Sequence, residues 1–61
     1  MSYRFNIGED VIDVGRDVSS TILAIIDGYE TVYVLDAGCG NVYLSKESNL
    51  IKYDKYYFER K

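Results

Sequence analysis

Residues 32–46, VYVLDAGCGNVYLSK, hold two alternating runs around a glycine-bearing centre. Alternation with a period of two is the mark of a strand with unlike faces. Gly38 and Gly40 can adopt the positive φ that tight connections need. The segment therefore predicts a β-hairpin with Cys39 at its tip. Val32, Val34, Val42 and Leu44 fall on one face, Tyr33 and Tyr43 on the other. If the aliphatic face is the buried one, Val34 pairs with Val42 and Tyr33 lies opposite Tyr43 on the outside. Core burial should hold that register, because a one-residue slip exchanges the two faces.

The flanks continue the pattern. IGEDVIDVG (7–15) reads as a first strand between two glycines, with Val11 and Asp13 on one side and Ile12 and Val14 on the other. RDVSS (16–20) is polar and reads as a loop. TILAIIDGYE (21–30) predicts a second strand closing in a turn where Gly28 takes a positive φ. TVYVLDA (31–37) and NVYLSK (41–46) are the third and fourth strands. ESNL (47–50) predicts one turn of 3₁₀ helix, since Ser48 and Asn49 bond readily to nearby backbone. IKY (51–53) predicts a short fifth strand. DKYYFERK (54–61) is open between a frayed strand, a short helix and a disordered tail. With no proline and no low-complexity run, the chain reads as a single domain over 1–61 with its core in about 7–53. The expected core is Val11 or Ile12, Val14, Ile22, Ile25 or Ile26, Val32, Val34, Val42, Leu44 and Leu50.

In this order, GEDVIDVGR, STILAII, TVYVLDAGCGNVYL and ESNLIKY resemble the strands of small SH3-like barrels. That group includes KOW, Tudor-like and bacterial or phage accessory domains. The resemblance covers about residues 7–53. It implies an all-β, five-stranded SH3-like barrel with a single 3₁₀ turn near 47–50; a binding or accessory role in a small bacterial or phage protein is a separate expectation. The chain departs from parts of the group. Ser19 and Ser20 stand where a KOW-like entry places a glycine before its second strand. The basic residues of nucleic-acid-binding relatives are largely missing from the first forty positions. The tryptophan and prolines associated with the peptide groove of signalling SH3 domains are absent. The resemblance carries over no site residue, because such barrels host many unrelated roles.

Composition narrows the chemistry. At 61 residues the chain can hide only about 60% of its unfolded surface, which leaves little for an enclosed pocket. Cys39 is the only cysteine and there is no histidine, so neither an internal disulfide nor a His/Cys metal staple is available. An unstapled domain of this size relies on a tight core, on self-association, or on both. Ser-His-Asp and Cys-His arrangements cannot be assembled. A nucleophilic thiolate needs a nearby cation or a helix N-terminus, and Cys39 has the anion Asp36 close in sequence. Gly38-Cys39-Gly40 lacks the third glycine and the following helix of a phosphate loop. Glu9, Asp10, Asp13 and Asp17 lack the spacing of a calcium loop and read as a solvated acidic face. The expectation is a protein that is not an enzyme and uses no cofactor or metal.

A lone cysteine, the lack of a charged start followed by an apolar run, and the lack of a long apolar stretch predict a cytoplasmic chain without membrane contact. The net charge of −3 divides into −5 over residues 1–40 and +2 over residues 41–61. This balance disfavours nucleic acid, although Lys46, Lys52, Lys55, Arg60 and Lys61 form a local basic group. Seven tyrosines and two phenylalanines are more than so small a domain can bury. Tyrosine suits interfaces, because its ring is apolar and its tip polar. The expected function is a non-enzymatic module that contacts a protein partner or a second copy of itself. Tyr33, Tyr43, Tyr53, Tyr56, Tyr57 and Phe58 are the expected contact residues. The alternative is a KOW/Tudor-like nucleic-acid-binding module that uses the aromatic, basic C-terminal segment.

Overall fold

The computed structural model describes residues 3–60. Lys61, counted above among the C-terminal cations, lies outside them. The described residues form five strands, β1 (Asp10–Asp13), β2 (Val18–Ile26), β3 (Val32–Asp36), β4 (Val42–Lys46) and β5 (Leu50–Lys52), with a 3₁₀ turn at Glu47–Asn49. They make one antiparallel sheet in the order β4-β3-β2-β1-β5.

The boundaries of β1 and β2 differ most from the sequence reading, and β5 covers Leu50–Lys52 where the sequence predicts 51–53. The first strand is shorter than 7–15. Gly8 has φ +89°, and Asn6 and Glu9 close a turn through Glu9 N–H to Asn6 O and Asn6 N–H to Glu9 Oε1. The second strand starts earlier than expected. Val18, Ser19 and Ser20 pair with Asp13, Ile12 and Val11 instead of forming a loop. A serine hydroxyl needs a partner when buried, and Ser20 has one in Tyr43, so polarity alone did not exclude a strand there. Gly28 belongs to the 27–31 connection without a positive φ. Residues 54–60 form consecutive turns, with Tyr57 N–H donating to Asp54 O and Arg60 N–H to Tyr56 O.

The core gathers Phe5, Val11, Ile22, Tyr33, Leu35 and Leu50, with Ile25 and Tyr43 packed against it. Phe5 meets Tyr33 edge to face, with ring centroids 5.6 Å apart at 71°, the geometry favoured by the ring quadrupoles. Ile12 is also fully buried, on the opposite side of β1. β2 serves both parts of the sheet because of a register shift between Ile22 and Ala24. The extra residue, Leu23, reverses the inward parity, as a β-bulge does. Ser20 and Ile22 point inward before it, Ile25 after it, and Ala24 and Ile26 turn to the other face.

The hairpin overturns the expected faces. Its register is Val34 with Leu44, Leu35 with Tyr43, Asp36 with Val42 and Tyr33 with Ser45. Val34 does not meet Val42, and Tyr33 does not meet Tyr43. The inward face carries Tyr33 (0% exposed), Leu35, half-buried Tyr43 and Ser45, while Val42 and Leu44 are 55% and 56% exposed. The loop explains the shift of register. Asp36 Oδ1 accepts Gly38 N–H at 2.8 Å, and Gly38, Cys39 and Gly40 all take positive φ, so the chain reverses within residues 37–41. Volume explains the choice of face. Tyr33, Leu35 and Tyr43 fill more of the space under the sheet than the valines would. Val14, expected in the core, is exposed, and of the alternatives Ile25 and Ile26 it is Ile25 that packs against the core while Ile26 is exposed. Val32 and Val34 are only half-buried. Asp13 takes the inward place at the end of β1, where it organises the next turn.

Candidate functional site: an apolar sheet face beside an open edge

The residues displaced from the core assemble a surface. Ala24 and Ile26 from β2, Val32 and Val34 from β3, and Val42 and Leu44 from β4 share the outer face of the three strands. Ala24 pairs with Val34 and Val34 with Leu44, giving an apolar rung across the sheet. Ile26 pairs with Val32 and Val32 with Lys46, giving the next one. Ile26 is 48% exposed, and the most exposed members lie on β4. Charge is confined to the ends of this face, at Asp36 and at Lys46. Lys46 Nζ lies 3.4 Å from Glu30 Oε1.

Among the described residues β4 is an edge of the sheet, with β3 as its sole strand neighbour. The hydrogen-bond parity of the hairpin follows from its ends. Ala37 N–H donates to Asn41 O, and Glu47 N–H to Thr31 O. Pairs in an antiparallel ladder alternate between bonded and non-bonded. Tyr43 and Ser45 therefore direct their backbone groups at β3, and Val42, Leu44 and Lys46 direct theirs away from it. The residues with the exposed aliphatic side chains thus also carry the open N–H and C=O groups. Such an edge is a template for another strand unless charge, proline or a covering element blunts it.

Beside this edge runs an open groove of about 560 Å³, lined by Val32, Leu44, Ser45 and Lys46 on one wall and by Asp13, Gly15, Arg16 and Asn49 on the other. Asp13 builds the far wall. Its Oδ1 accepts Gly15 N–H at 3.0 Å and Arg16 N–H at 3.1 Å, and Arg16 Nε lies 3.9 Å from Oδ2. Oδ2 is buried without a hydrogen bond among the described residues. The Arg16 guanidinium stacks on the Tyr43 ring, 4.4 Å from its centroid, and the Tyr43 hydroxyl shares a 2.9 Å hydrogen bond with Ser20 Oγ. Burial, foremost, and the negative charge of Asp13 raise the Tyr43 phenol above its ordinary range, against the pull of Ser20 and Arg16.

The six aromatic residues expected to form a contact surface are not brought together as one. Tyr33 is fully buried and offers nothing to a partner. Tyr43 is half-buried in the polar cluster just described. Tyr53, Tyr56 and Phe58 are exposed. Tyr57 is half-buried, with its ring edge to face with Phe58 at 5.0 Å, and Lys55 Nζ lies 5.0 Å from the Tyr56 ring centroid. Cys39 is exposed at the hairpin tip. Sequence reasoning assigned Val34, Val42 and Leu44 to the core and so missed the face they form. The overlooked signal was Leu35, which shares the parity of Tyr33 and marks that side as the larger apolar one.

Among the described residues, no group of three or more His, Cys, Asp or Glu converges to hold a metal, and no helix is long and apolar enough to cross a membrane. Comparison with protein-family models, with curated proteins and with solved structures returned no match to this chain.

Proposed function

We propose that this chain is a small non-enzymatic binding module that makes protein–protein contacts through the outer face of β2, β3 and β4. The observation that carries this reading is the coincidence on β4 of exposed Val42 and Leu44 side chains with open backbone groups. Aliphatic side chains contribute affinity by leaving water, at roughly 25 cal/mol per Å² buried. The edge contributes direction, as in strand-addition recognition. The exposed aromatics Tyr53, Tyr56 and Phe58 belong to a separate segment and are secondary contacts in this reading. The strand order, the long bulged β2 shared by both parts of the sheet and the 3₁₀ turn leading into β5 support the SH3-like barrel as the finer description of the fold.

The nucleic-acid alternative draws less support. Lys46, Lys52 and Arg60 each lie against a carboxylate, from Glu30, Glu9 and Asp54 respectively, so their charge is partly neutralised at home. The test of the main reading is selection of displayed peptides against the chain and against its Val42→Asp variant. Peptides that bind the parent chain and are lost with Val42→Asp are the expected result. No enrichment over an unrelated protein, or the same peptides retained by Val42→Asp, would overturn it.

A further inference from the structure

We infer that the surface just described receives a second copy of this chain, with β4 paired to β4 antiparallel about a two-fold axis at Leu44. The inference rests on the binding-module reading and names its partner.

Backbone parity supplies the first argument. Val42, Leu44 and Lys46 are the β4 residues whose N–H and C=O groups point away from β3. A two-fold axis at Leu44 sets Leu44 against Leu44 and Val42 against Lys46 of the second copy. Each of these is a pairing of outward-directed groups, and the alternation of the ladder gives about six new backbone hydrogen bonds across the joint. Moving the register by one residue would oppose an open group to one already spent on β3.

Side chains and charge agree with the same register. Directly paired residues in an antiparallel ladder share a face, so the rung Ala24, Val34, Leu44 continues unbroken into Leu44, Val34 and Ala24 of the second copy. Lys46 is the only charged residue on β4, and Asp36 stands across β3 from Val42. The two-fold sets each Lys46 beside Val42 of the other copy, with that copy's Asp36 on the next strand, within reach of a lysine side chain that turns from its exposed partner Glu30. A parallel, in-register pairing would instead put lysine against lysine. The open backbone groups accept any extended strand, but this match of hydrophobic centre and opposite charges at the ends is one that β4 makes with itself.

Area sets the strength. A standard interface buries about 800 Å² per partner, close to a fifth of the 4219 Å² that this chain exposes. A five-residue edge with its flanking side chains covers less than that, so the dimer dissociates on dilution.

The experiment is sedimentation equilibrium of the whole chain from about 1 μM to about 1 mM, a range that brackets dissociation constants of weak complexes. It is repeated for Leu44→Glu, for Leu44→Lys and for their equimolar mixture, with circular dichroism confirming that each variant is folded. Leu44 is exposed, so neither change disturbs the core. The expected result is a parent chain that reaches twice the monomer mass, each variant dissociating at least tenfold more readily, and recovery of a one-to-one heterodimer in the mixture. A parent chain that stays monomeric overturns the second-copy inference, while peptide selection separately decides the binding-module reading. A dimer unaffected by Leu44→Glu, or a mixture no tighter than either variant alone, overturns the β4 pairing.

Discussion

The Tyr33 hydroxyl donates a 2.6 Å hydrogen bond to Glu47 Oε2. This bond ties the centre of the core to the first residue of the 3₁₀ turn, and so joins β3 to the segment that leads into β5. It lets a fully buried ring keep its polar tip satisfied, which is the condition for a tyrosine to serve as core. Tyr33→Phe should lower stability by about 1.5 kcal/mol, the scale of a hydrogen bond to a charged group. Tyr33→Ser should cost about 3–5 kcal/mol through the cavity it leaves. Urea denaturation of the two variants checks the contrast, and equal losses would count against a core role for the ring.

The same residue makes stability depend on alkaline pH. Burial first, and then the bond to Glu47, push the Tyr33 phenol up to about 12 from its ordinary 10.0. Below 10.0 the phenol is neutral in both folded and unfolded chains, and its contribution is whole. From there to about 12 the unfolded chain ionises while the folded one does not, so stability falls as pH rises and the contribution is gone above about 12. Tyr3 and Tyr43 are also raised and add to the slope. Denaturation midpoints across this range should fall less steeply for Tyr33→Phe than for the parent chain. An unchanged slope would show that Tyr33 ionises alike in both states.

The connections carry their own test, through backbone strain alone. Gly38 and Gly40 have φ +109° and +77°, and Gly28 has no positive φ; a Cβ at any of the three would meet no atom within 4 Å. Gly38→Ala and Gly40→Ala should each destabilise by about 1–2 kcal/mol, the cost of left-handed backbone for a residue with a Cβ. Gly28→Ala should be neutral or stabilise by about 0.4–1 kcal/mol, because it restricts the unfolded chain without straining the folded one. Thermal unfolding of the three variants gives the comparison, and similar effects at Gly28 and Gly38 would contradict it.

Much of the sheet was legible before the structure. Alternation and glycine punctuation gave the existence and order of five strands and the short 3₁₀ turn, since these are local properties. What failed was non-local. Which face of the 32–46 hairpin is buried depends on the volume left by Phe5, Ile22 and Leu50, residues outside the hairpin itself. Counting only the valines favoured the wrong side. Asp13 was read as solvated because charge usually is, but its two backbone hydrogen bonds allow it to be buried. The bulge at Leu23 leaves no mark in composition, yet it decides that Ile26 faces outward. The apolar surface was hidden by the same error that overfilled the expected core.

Asp13 gives a sharper prediction than its burial alone would. Its Oδ1 holds the backbone N–H groups of both Gly15 and Arg16, which shapes the turn from β1 into β2. Asp13→Ala leaves both donors without that acceptor and should cost about 2–3 kcal/mol. Asp13→Asn keeps a carbonyl oxygen in the same place and gives up only the long contact of Oδ2 with Arg16 Nε, so it should cost less than half as much. Urea midpoints rank the two variants, and equal destabilisation would mean that charge, not the turn, makes Asp13 important.

Asp54 holds the C-terminal turns in a comparable way. Its Oδ1 accepts Tyr56 N–H at 2.9 Å, and its other oxygen pairs with the Arg60 guanidinium. The backbone hydrogen bond foremost, and then Arg60, hold its carboxyl below the ordinary 3.8. A depressed folded value means that the ordering is complete above 3.8 and is lost as pH falls through the lower folded value. Amide exchange at Tyr56 and Tyr57 should therefore gain protection loss on acidification before the strands do, and Asp54→Ala should remove that protection at neutral pH. The sheet should unfold at nearly the same denaturant concentration in Asp54→Ala as in the parent chain, because none of the core residues lies beyond Leu50. Loss of core protection together with the tail would instead make residues 54–60 part of one cooperative unit with the sheet.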